Sequence, residues 1–487
     1  MDQRSTNRLG ASTHLHMASK TALAVRGATA CRHCAAPLEL SMVDLGVSPL
    51  CQTVVRPEQL GAMEPFYPLH VRVCTSCWLA QLPELVSSED LFVEYAYFSA
   101  YADSWVDHAR RYVEMISDRL TLGPDDLVVE LASNDGYLLQ HFLPKGIPVL
   151  GVDPARNVAE AATARGVPTL TEFFGLELAT RLVAEGRSAR LVLGNNVLAQ
   201  IPDLNDFVAG VKTLLAPGGT ATFEVPHLAR LMASLAYDTI YHEHFSYFSL
   251  HSLRVIFGDA GLELVDVEEL PTHGGSLRVY LRHVEEGIAR APDVARVLVE
   301  EDAAGLRDAE AYVRFAEGVA ESKRTLLELL ISLNRQGQQV VGYGAPGKGN
   351  TLLNYCGIRS DLVRYTVDRN PYKQNAFTPG TRIPIYAPER IAETRPDAIL
   401  ILPWNLAAEI ALQLAYTAEW GATLITAIPT ARCFAPGAAP GTTTDRDGLS
   451  SSLDAVLGQE ASRAALEAGS GTGGRSARTE DPGTISS

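Results

Sequence analysis

The apolar positions of the chain change their spacing near residue 127. From there, short continuous apolar runs alternate with segments that repeat apolar residues at helical spacing. Apolar runs of this length between helices are typical of strands that are covered on both faces, as in a parallel sheet. The pattern therefore predicts an α/β domain. Its strands are predicted at 127–132, 147–152, 189–193, 219–224, 262–267 and 276–281. A helix is predicted from Tyr137, and a turn at 216–219 is predicted before the fourth strand.

A second α/β unit follows a charged, alanine-rich stretch. Residues 285–335 have the spacing of long helices, and we interpret them as a connector with a solvated charged face. The apolar runs then return, with a glycine-rich turn at 344–350 and a helix predicted from Thr351. Strands of this second unit are predicted at 339–343, 363–367 and 398–402.

Length and composition narrow the function classes. A chain of 487 residues should hold two or three domains at roughly 150 residues each. The net charge of −16 argues against nucleic acid and anionic membranes as partners, because both require basic patches. No apolar run is long enough to span a membrane, and residues 1–29 lack the apolar core of a signal peptide.

Two CxxC pairs carry the first chemical signal. Two thiolates from each pair can complete a tetrahedral zinc site, although the gap between the pairs is longer than in common zinc ribbons. The alternative is four ordinary thiols. A four-thiolate site leaves no open position, so its role would be structural, and such pairs favour a reducing cytoplasm over a disulfide framework. The four residues are Cys31, Cys34, Cys74 and Cys77.

A turn at Ser133–Gly136 follows the first predicted strand, and Asp153 ends the second strand. A glycine turn allows close approach of the backbone to a ligand, and an acid at this position can accept hydrogen bonds from ribose hydroxyls. This unit has no GxGxxG, which favours a nucleoside without a diphosphate. Asn195 and Asn196 lie just past a later strand, at the edge where such sheets bind ligands.

The stretch from Tyr237 to Ser249 combines histidines, acids, tyrosines and serines. Tyr241, Glu243 and His244 could act together as a phenol donor, an orienting carboxylate and a base near neutral pKa. The alternative is a buried hydrogen-bonded knot that fixes a turn.

The second α/β unit contains Gly342-x-Gly344-x-x-Gly347, with Asp368 farther along. This matches the dinucleotide fingerprint as a pattern, and Lys348 at a helix N-terminus suits a phosphate. An NAD-dependent sugar oxidoreductase is therefore the alternative function.

Taken in order, these motifs resemble the S-adenosylmethionine-dependent sugar C-methyltransferases that build branched deoxysugars of antibiotics. The resemblance covers about residues 31–430. It rests on the four cysteines, Tyr95-Ala-Tyr-Phe-Ser99, Glu130 with Ser133-Asn-Asp-Gly136, Asp153-Pro154, Asn195-Asn-Val-Leu-Ala199, Tyr241-His-Glu-His244, His273-Gly-Gly-Ser276, Gly342-Tyr-Gly-Ala345 with Lys348-Gly-Asn350, Val367-Asp-Arg-Asn370 and Leu402-Pro-Trp-Asn405.

The resemblance implies that different domains bind the cofactor and the substrate. S-adenosylmethionine is expected on the central domain, and a thymidine-diphosphate-linked keto sugar is expected against the C-terminal domain. His244 is the expected base, with Tyr95, Tyr241 and Glu243 nearby. Cofactor contacts are assigned to Glu130, Ser133, Asn134, Asp135, Gly136, Asp153, Asn195 and Asn196. Substrate contacts are assigned to Gln200, His273, Lys348, Asn350, Asp368 and Arg369.

Two positions depart from the family pattern. Ala132 stands where the family usually has glycine, and Gln200 stands where it often has histidine. Glutamine can hydrogen-bond but cannot take up a proton at neutral pH. Gln200 therefore keeps open a third alternative, a zinc-scaffolded binding protein without catalysis. His242 is the rival of His244 as base, since the sequence alone does not fix which of them faces the site.

The expected reaction is methyl transfer to C3 beside a C4 ketone, because the C–H next to a carbonyl is the acidic one. A monomer is the default oligomeric state. The predicted architecture is a small zinc-binding unit followed by two Rossmann-like α/β domains. The predicted segments are a disordered leader (1–29), the zinc unit (30–90), the methyltransferase domain (91–284), the helical connector (285–335), the nucleotide-sugar domain (336–434) and a disordered tail (435–487).

Overall fold

The computed structural model describes residues 29–87, 91, 99–101 and 103–438. Within these residues, no helix is both long enough and apolar enough to cross a membrane. The strands are β1 (Leu40–Ser48), β2 (Tyr67–Val73), β3 (Ala80–Gln81), β4 (Val128–Leu131), β5 (Val149–Val152), β6 (Thr169–Leu170), β7 (Ala189–Asn195), β8 (Leu215–Pro226), β9 (Ser246–Tyr247), β10 (Leu262–Leu270), β11 (Ser276–His283), β12 (Val340–Tyr343), β13 (Thr366–Val367), β14 (Ala376–Phe377), β15 (Pro384–Tyr386), β16 (Ala398–Ile401), β17 (Thr423–Thr426) and β18 (Arg432–Phe434). The α-helices are α1 (Asp103–Leu120), α2 (Arg156–Ala164), α3 (Leu176–Ala184), α4 (Leu204–Leu214), α5 (Leu228–Ala233), α6 (Leu250–Asp259), α7 (Pro292–Ala303), α8 (Ala309–Arg335), α9 (Gly347–Cys356), α10 (Arg390–Thr394) and α11 (Ala407–Gln413).

The central sheet has the strand order β6-β5-β4-β7-β8-β11-β10. Its first five strands are parallel, and β11 and β10 add antiparallel pairs at one edge. Every residue of β4 and β5 is buried, as their continuous apolar runs require. The chain leaves β4 for β5 on one side and later returns to β7 on the other side. The carboxyl ends of β4 and β7 therefore flank the switch point at which such sheets bind ligands.

A smaller N-terminal sheet has the order β1-β2-β3-β9. Its last strand, β9, comes from the polar stretch at 237–249, about 165 residues after β3 along the chain. Ala80 pairs with Tyr247, and Gln81 pairs with Ser246. The N-terminal unit thus forms hydrogen bonds directly with the segment that carries the candidate base.

The C-terminal sheet has the order β14-β15-β13-β12-β16-β17-β18, with parallel strands in the middle and antiparallel pairs at both edges. Its core is continuous with that of the N-terminal unit through α8. Met42, Leu326 and Leu400 come from β1, α8 and β16, and all three are fully buried in one cluster. The connector is therefore packed between two units rather than exposed on both sides.

The structure differs from the predicted elements at several places, and the strand predicted at 363–367 covers only Thr366–Val367. A helix predicted from Tyr137 is replaced by two 3₁₀ turns, Leu139–His141 and Leu143–Lys145, because Pro144 cannot donate a helix hydrogen bond. Helix α9 begins at Gly347 rather than Thr351, since tertiary contacts hold its glycines in place. Strand β8 begins at Leu215 and includes the turn predicted before it.

Candidate active site

The four predicted zinc ligands lie together. The Sγ atoms of Cys31 and Cys77 are 3.6 Å apart, those of Cys34 and Cys74 are 3.5 Å apart, and all four lie within 4.8 Å of one another. Zn–S bonds of about 2.3 Å put tetrahedral sulfur atoms about 3.8 Å apart, so the cluster fits one ion. Gln81 Nε2 donates to Cys31 Sγ at 3.3 Å, an outer contact of the kind that orients a metal ligand.

The turn after β4 has an unusual backbone. Ala132 and Asn134 have φ of 56° and 49°, in the left-handed region that disfavours side chains. Asp153 at the end of β5 holds this turn, because its carboxylate accepts the N–H of Asn134 at 2.9 Å and the N–H of Ala155 at 2.9 Å. Burial raises the pKa of Asp153. The turn is thereby fixed at the ligand-binding edge of the sheet.

A cleft of about 710 Å³ opens at this edge. Asn134, Asp153, Asn195 and Asn196 line it, so half of the predicted cofactor residues reach the cavity. Among the described residues, the buried Asn195 Nδ2 and Asn196 Oδ1 atoms find no hydrogen-bond partner. Buried polar atoms of this kind call for a partner, and a polar ligand in the cleft would supply it.

The other predicted cofactor residues lie behind the wall of the cleft. Glu130 is buried, and burial raises the pKa of its carboxyl group well above its usual range. Ser133 packs against β5, since a Cβ on Gly151 would lie 2.4 Å from its Oγ. Asp135 is fully buried and pairs with Arg165 at 2.8 Å. These side chains support the turn rather than line the cavity. Gly136 has φ of 76° and packs closely on α2.

His244 lines the same cleft. Its Nδ1 lies 3.1 Å from the carbonyl oxygen of Thr239, which can only accept, so Nδ1 carries the proton. Nε2 is then the unprotonated nitrogen. Burial lowers the pKa of His244 to about 4, which keeps the imidazole neutral at neutral pH. The orienting group is therefore the Thr239 carbonyl, and the prediction that Glu243 would orient the ring is wrong.

Tyr241 lies against His244, with ring centroids 4.0 Å apart, and also lines the cleft. Glu243 does not line it. Its carboxyl group is buried beside Cys51, and burial raises its pKa to about 7. Its Oε2 has no hydrogen-bond partner within the part of the chain that the structure describes. Tyr95, the remaining predicted catalytic residue, lies outside the described residues.

His242 points away from the cleft. Its Nε2 lies 3.3 Å and 3.2 Å from the carbonyl oxygens of Tyr67 and Pro68 on β2. Its ring also meets the Tyr67 ring edge-on at 5.8 Å. Two carbonyls can only accept, so the proton on Nε2 is shared between them. His242 therefore fastens the segment to the N-terminal sheet, while His244 faces the cavity.

The C-terminal domain closes one side of the cleft with two lysines. Lys348, in the first turn of α9, lies 5.5 Å above the Trp404 ring and donates to Asn405 Oδ1 at 3.1 Å. Lys373 donates to the carbonyl of Ala345 at 2.8 Å. Lys348 was predicted, whereas Lys373 was missed, although it follows β13 in a loop where a cation suits a phosphate. Lys373 also lies 4.0 Å from Asp368 Oδ2, which offsets part of its charge. The two lysines, together with the N-terminus of α9, favour an anionic ligand.

Three predicted substrate residues lie elsewhere. Asn350 is buried and donates to the carbonyl of Cys51 at 2.7 Å, so it joins two units. Asp368 accepts the N–H groups of Ala345 and Asn370, each at 2.8 Å, and so holds the turn before α9. Arg369 lines a separate cavity of about 700 Å³ on the C-terminal domain.

The central domain lines the cleft with Gln200, His273 and Trp105. His273 Nε2 lies 3.0 Å from Asn196 Nδ2, and Trp105 meets the His273 ring at 5.2 Å. The sequence analysis did not single out Trp105, because helical spacing cannot show that its ring turns into a cavity. Burial alone would raise the pKa of Glu224, but its hydrogen bond with His108 and the charge of Arg278 outweigh burial and lower it.

Comparison with known proteins agrees with this arrangement. Residues 31–92 match the family model "Putative zinc binding domain", residues 106–267 match "Methyltransferase domain", and residues 271–429 match "C-methyltransferase C-terminal domain". The C-methyltransferase NovU of Streptomyces niveus is 39% identical over 408 residues, which are 84% of this chain and 97% of that protein. The chain belongs to the C-methyltransferase family.

Similar solved structures cover only part of this C-methyltransferase. Magnesium protoporphyrin IX methyltransferase of Synechocystis PCC 6803, with bound S-adenosylmethionine, is 15% identical over 37% of this chain and 81% of that chain, with a TM-score of 0.28. The CcbJ methyltransferase of Streptomyces caelestis is 16% identical over 36% of this chain and 89% of that chain, with a TM-score of 0.28. At this level of similarity we draw no conclusion from either structure.

This C-methyltransferase uses S-adenosylmethionine as cofactor and carries zinc on its N-terminal unit. The dinucleotide fingerprint of the C-terminal domain has a packing explanation. A Cβ on Gly344 would meet Pro403 at 2.7 Å, and a Cβ on Gly347 would meet Gln52 at 2.9 Å. Gly344 allows close packing inside the C-terminal domain and Gly347 allows close contact with the N-terminal unit, so the pattern alone does not indicate NAD.

Proposed function

We propose that this enzyme methylates the ring carbon next to the ketone of a nucleotide-linked deoxysugar, most specifically C3 beside the C4 ketone of a thymidine-diphosphate sugar. The observation that carries the proposal is a single cleft lined by the cofactor turn, His244 and two lysines. The C–H next to a carbonyl is the acidic carbon position of such a sugar, and a neutral base beside it can remove the proton.

His244 takes the proton on Nε2 while the Thr239 carbonyl holds Nδ1–H. Its low pKa makes it a weak proton acceptor, so the negative charge that develops on the ketone oxygen needs a donor. Tyr241 is the donor that we assign in the described part of the cleft. S-adenosylmethionine supplies the electrophilic sulfonium methyl group.

The nucleotide is assigned to the C-terminal side of the cleft. Lys348 and Lys373 provide positive charge for a diphosphate, and the N-terminus of α9 adds unpaired N–H groups. Contacts far from the reacting carbon supply binding energy that orients the sugar. The proposal keeps the division made from the sequence, with the cofactor in 91–284 and the nucleotide sugar held by 336–434.

The experiment is incubation of the protein with a thymidine-diphosphate 4-keto-deoxysugar and methyl-labelled S-adenosylmethionine, with and without NAD. We expect label in a carbon-bound methyl group, independent of NAD. Formation of NADH with no labelled sugar would support the oxidoreductase instead. Binding of both ligands without any product would support a binding protein in which Gln200 marks lost catalysis.

A further inference from the structure

Arg32 lies inside the first zinc-binding pair, between Cys31 and Cys34, and is buried with 8% of its surface exposed. A buried guanidinium needs acceptors for its N–H groups. Its Nη1 donates to the carbonyl of Pro202 at 2.9 Å, and its Nη2 donates to the carbonyl of Leu82. The guanidinium also lies 5.5 Å from the centre of the Phe245 ring.

The partners of Arg32 belong to two walls of the cleft. Pro202 lines the cavity and comes two residues after Gln200, which lines it too. Phe245 follows His244 directly, and its carbonyl accepts the N–H of Leu82 at 2.9 Å. One side chain therefore contacts the loop that carries Gln200 and the segment that carries the base.

The backbone of Arg32 is held by hydrogen bonds that lead to the zinc site. The backbone N–H of Arg32 donates to Gln81 Oε1 at 2.9 Å, while Gln81 Nε2 donates to Cys31 Sγ. The backbone of Gln81 in turn pairs with Ser246 on β9. A metal ion that fixes Cys31 and Cys34 thus fixes both ends of the Arg32 backbone.

We propose that Arg32 is a positioning residue that couples the zinc site to both walls of the methyl-transfer cleft. It sets the positions of the Gln200 loop and of His244 without touching substrate or cofactor. A displacement of about 1 Å at a catalytic group can lower a rate by about a hundredfold. The kinetic arm of the test rests on the proposed function, whereas the exchange arm does not.

The test compares Arg32→Met and Arg32→Lys with Arg72→Met as the matched control. Arg72 lies on β2 of the N-terminal sheet, and its guanidinium donates to the carbonyl of Leu38 over a long 3.4 Å. We expect Arg32→Met to keep one zinc per chain and its affinity for S-adenosylmethionine, while kcat falls about tenfold or more. Arg32→Lys should recover part of kcat, and Arg72→Met should match the wild type.

Hydrogen–deuterium exchange read by mass spectrometry needs no substrate. The backbone amides of Arg32→Met should exchange faster than those of the wild type at 198–203 and 239–249. Their exchange should be unchanged at 128–136, which contains β4 and the turn at Ser133–Gly136. A wild-type kcat together with wild-type exchange at both segments overturns the proposal, and so does faster exchange throughout the chain. If Arg32→Met does not fold, Arg32→Lys decides by the same two readouts, and wild-type values for it overturn the proposal.

If the wild-type enzyme methylates no keto sugar, the proposed function fails. The exchange pattern then still decides the role of Arg32.

Discussion

The chemistry of the site rests on the environment of single side chains. His244 is neutral because burial lowers its pKa to about 4, and its hydrogen bond with Thr239 leaves Nε2 free of the proton. Glu243, the adjacent residue, has its pKa raised to about 7 by burial. Two neighbouring groups therefore change protonation state in different pH ranges, and the pH dependence of the rate distinguishes them.

With His244 as the base, kcat/KM should stay flat on the acid side from about pH 8 to about pH 5, because the neutral imidazole persists until the pH falls through its own pKa. Below that range, protonation removes the base and the rate falls. Glu243→Gln should leave this profile unchanged. An acid limb near pH 7 that disappears in Glu243→Gln would make Glu243 the base instead.

Ala132 holds a strained backbone, with φ of 56°. A left-handed conformation costs a residue with a Cβ about 1–2 kcal/mol. Ala132→Gly removes that strain. Glycine also raises the conformational entropy of the unfolded chain, which lowers the unfolding free energy by about 0.4–1 kcal/mol. We expect a net gain of about 0.5–1 kcal/mol in unfolding free energy, measured by chemical denaturation.

The control for this prediction is Ala199→Gly, because Ala199 also lines the cleft but is not among the residues of positive φ. That change should lower the unfolding free energy. A clear loss of stability in Ala132→Gly would mean that the strain at this position is offset by contacts of the methyl group.

Among the elements, the segment that carries His244 serves two units at once. Its strand β9 completes the N-terminal sheet, while His244, just before β9, faces the cavity of the central domain. Alternate side chains of an extended segment point in opposite directions, yet here a turn separates His242 from His244. One histidine fixes the segment, and the other is the base that we propose.

Because His242 holds the segment against β2, we expect its replacement to lower the stability of the protein. His242→Ala leaves the carbonyls of Tyr67 and Pro68 without their donor, at a cost of about 1–3 kcal/mol of unfolding free energy. The loss should be visible as a lower midpoint of thermal unfolding. His242→Gln, which keeps an N–H donor, should recover part of it. A loss of methylation in His242→Ala as large as in His244→Asn, with unchanged stability, would exchange the roles of the two histidines.

Sequence patterns predicted six of the seven strands of the central sheet and β12, β13 and β16 of the C-terminal sheet, because these strands are continuous apolar runs. They predicted no strand of the N-terminal sheet. They predicted the zinc site from spacing alone. They could not separate residues that line the cleft from residues behind it, since Asn134 and Asp135 are neighbours in one motif but face different surroundings. They also missed Lys373, whose contact with Ala345 depends on the fold of the C-terminal domain, and Arg32, whose contact with Pro202 joins two units far apart in the chain.

At the scale of the whole molecule, three units contribute to one cavity. Gln52 comes from the N-terminal unit, Asp153 from the central domain and Lys348 from the C-terminal domain. A shared core joins the first and last of these units through α8. Residues on the C-terminal side should therefore affect the nucleotide sugar and leave the cofactor unaffected.

Lys348→Met and Lys373→Met should each raise KM for the nucleotide sugar by about tenfold, since each removes a charge-assisted hydrogen bond to a diphosphate. Isothermal titration with S-adenosylmethionine should give the wild-type affinity. Lys323→Met is the control, because Lys323 contacts Tyr355 on α9 and does not line the cleft. Equal effects of all three changes would remove the lysines from the substrate site.

The central claim is that His244 removes the proton from the carbon that is methylated. The most direct measurement is the rate of carbon methylation by His244→Asn, beside the wild type, with a thymidine-diphosphate 4-keto-deoxysugar and methyl-labelled S-adenosylmethionine. The predicted result is a rate lower by about a hundredfold or more, the range for loss of a general base, with both ligands still bound at wild-type affinity. Methylation by His244→Asn within a few-fold of the wild-type rate would contradict the claim.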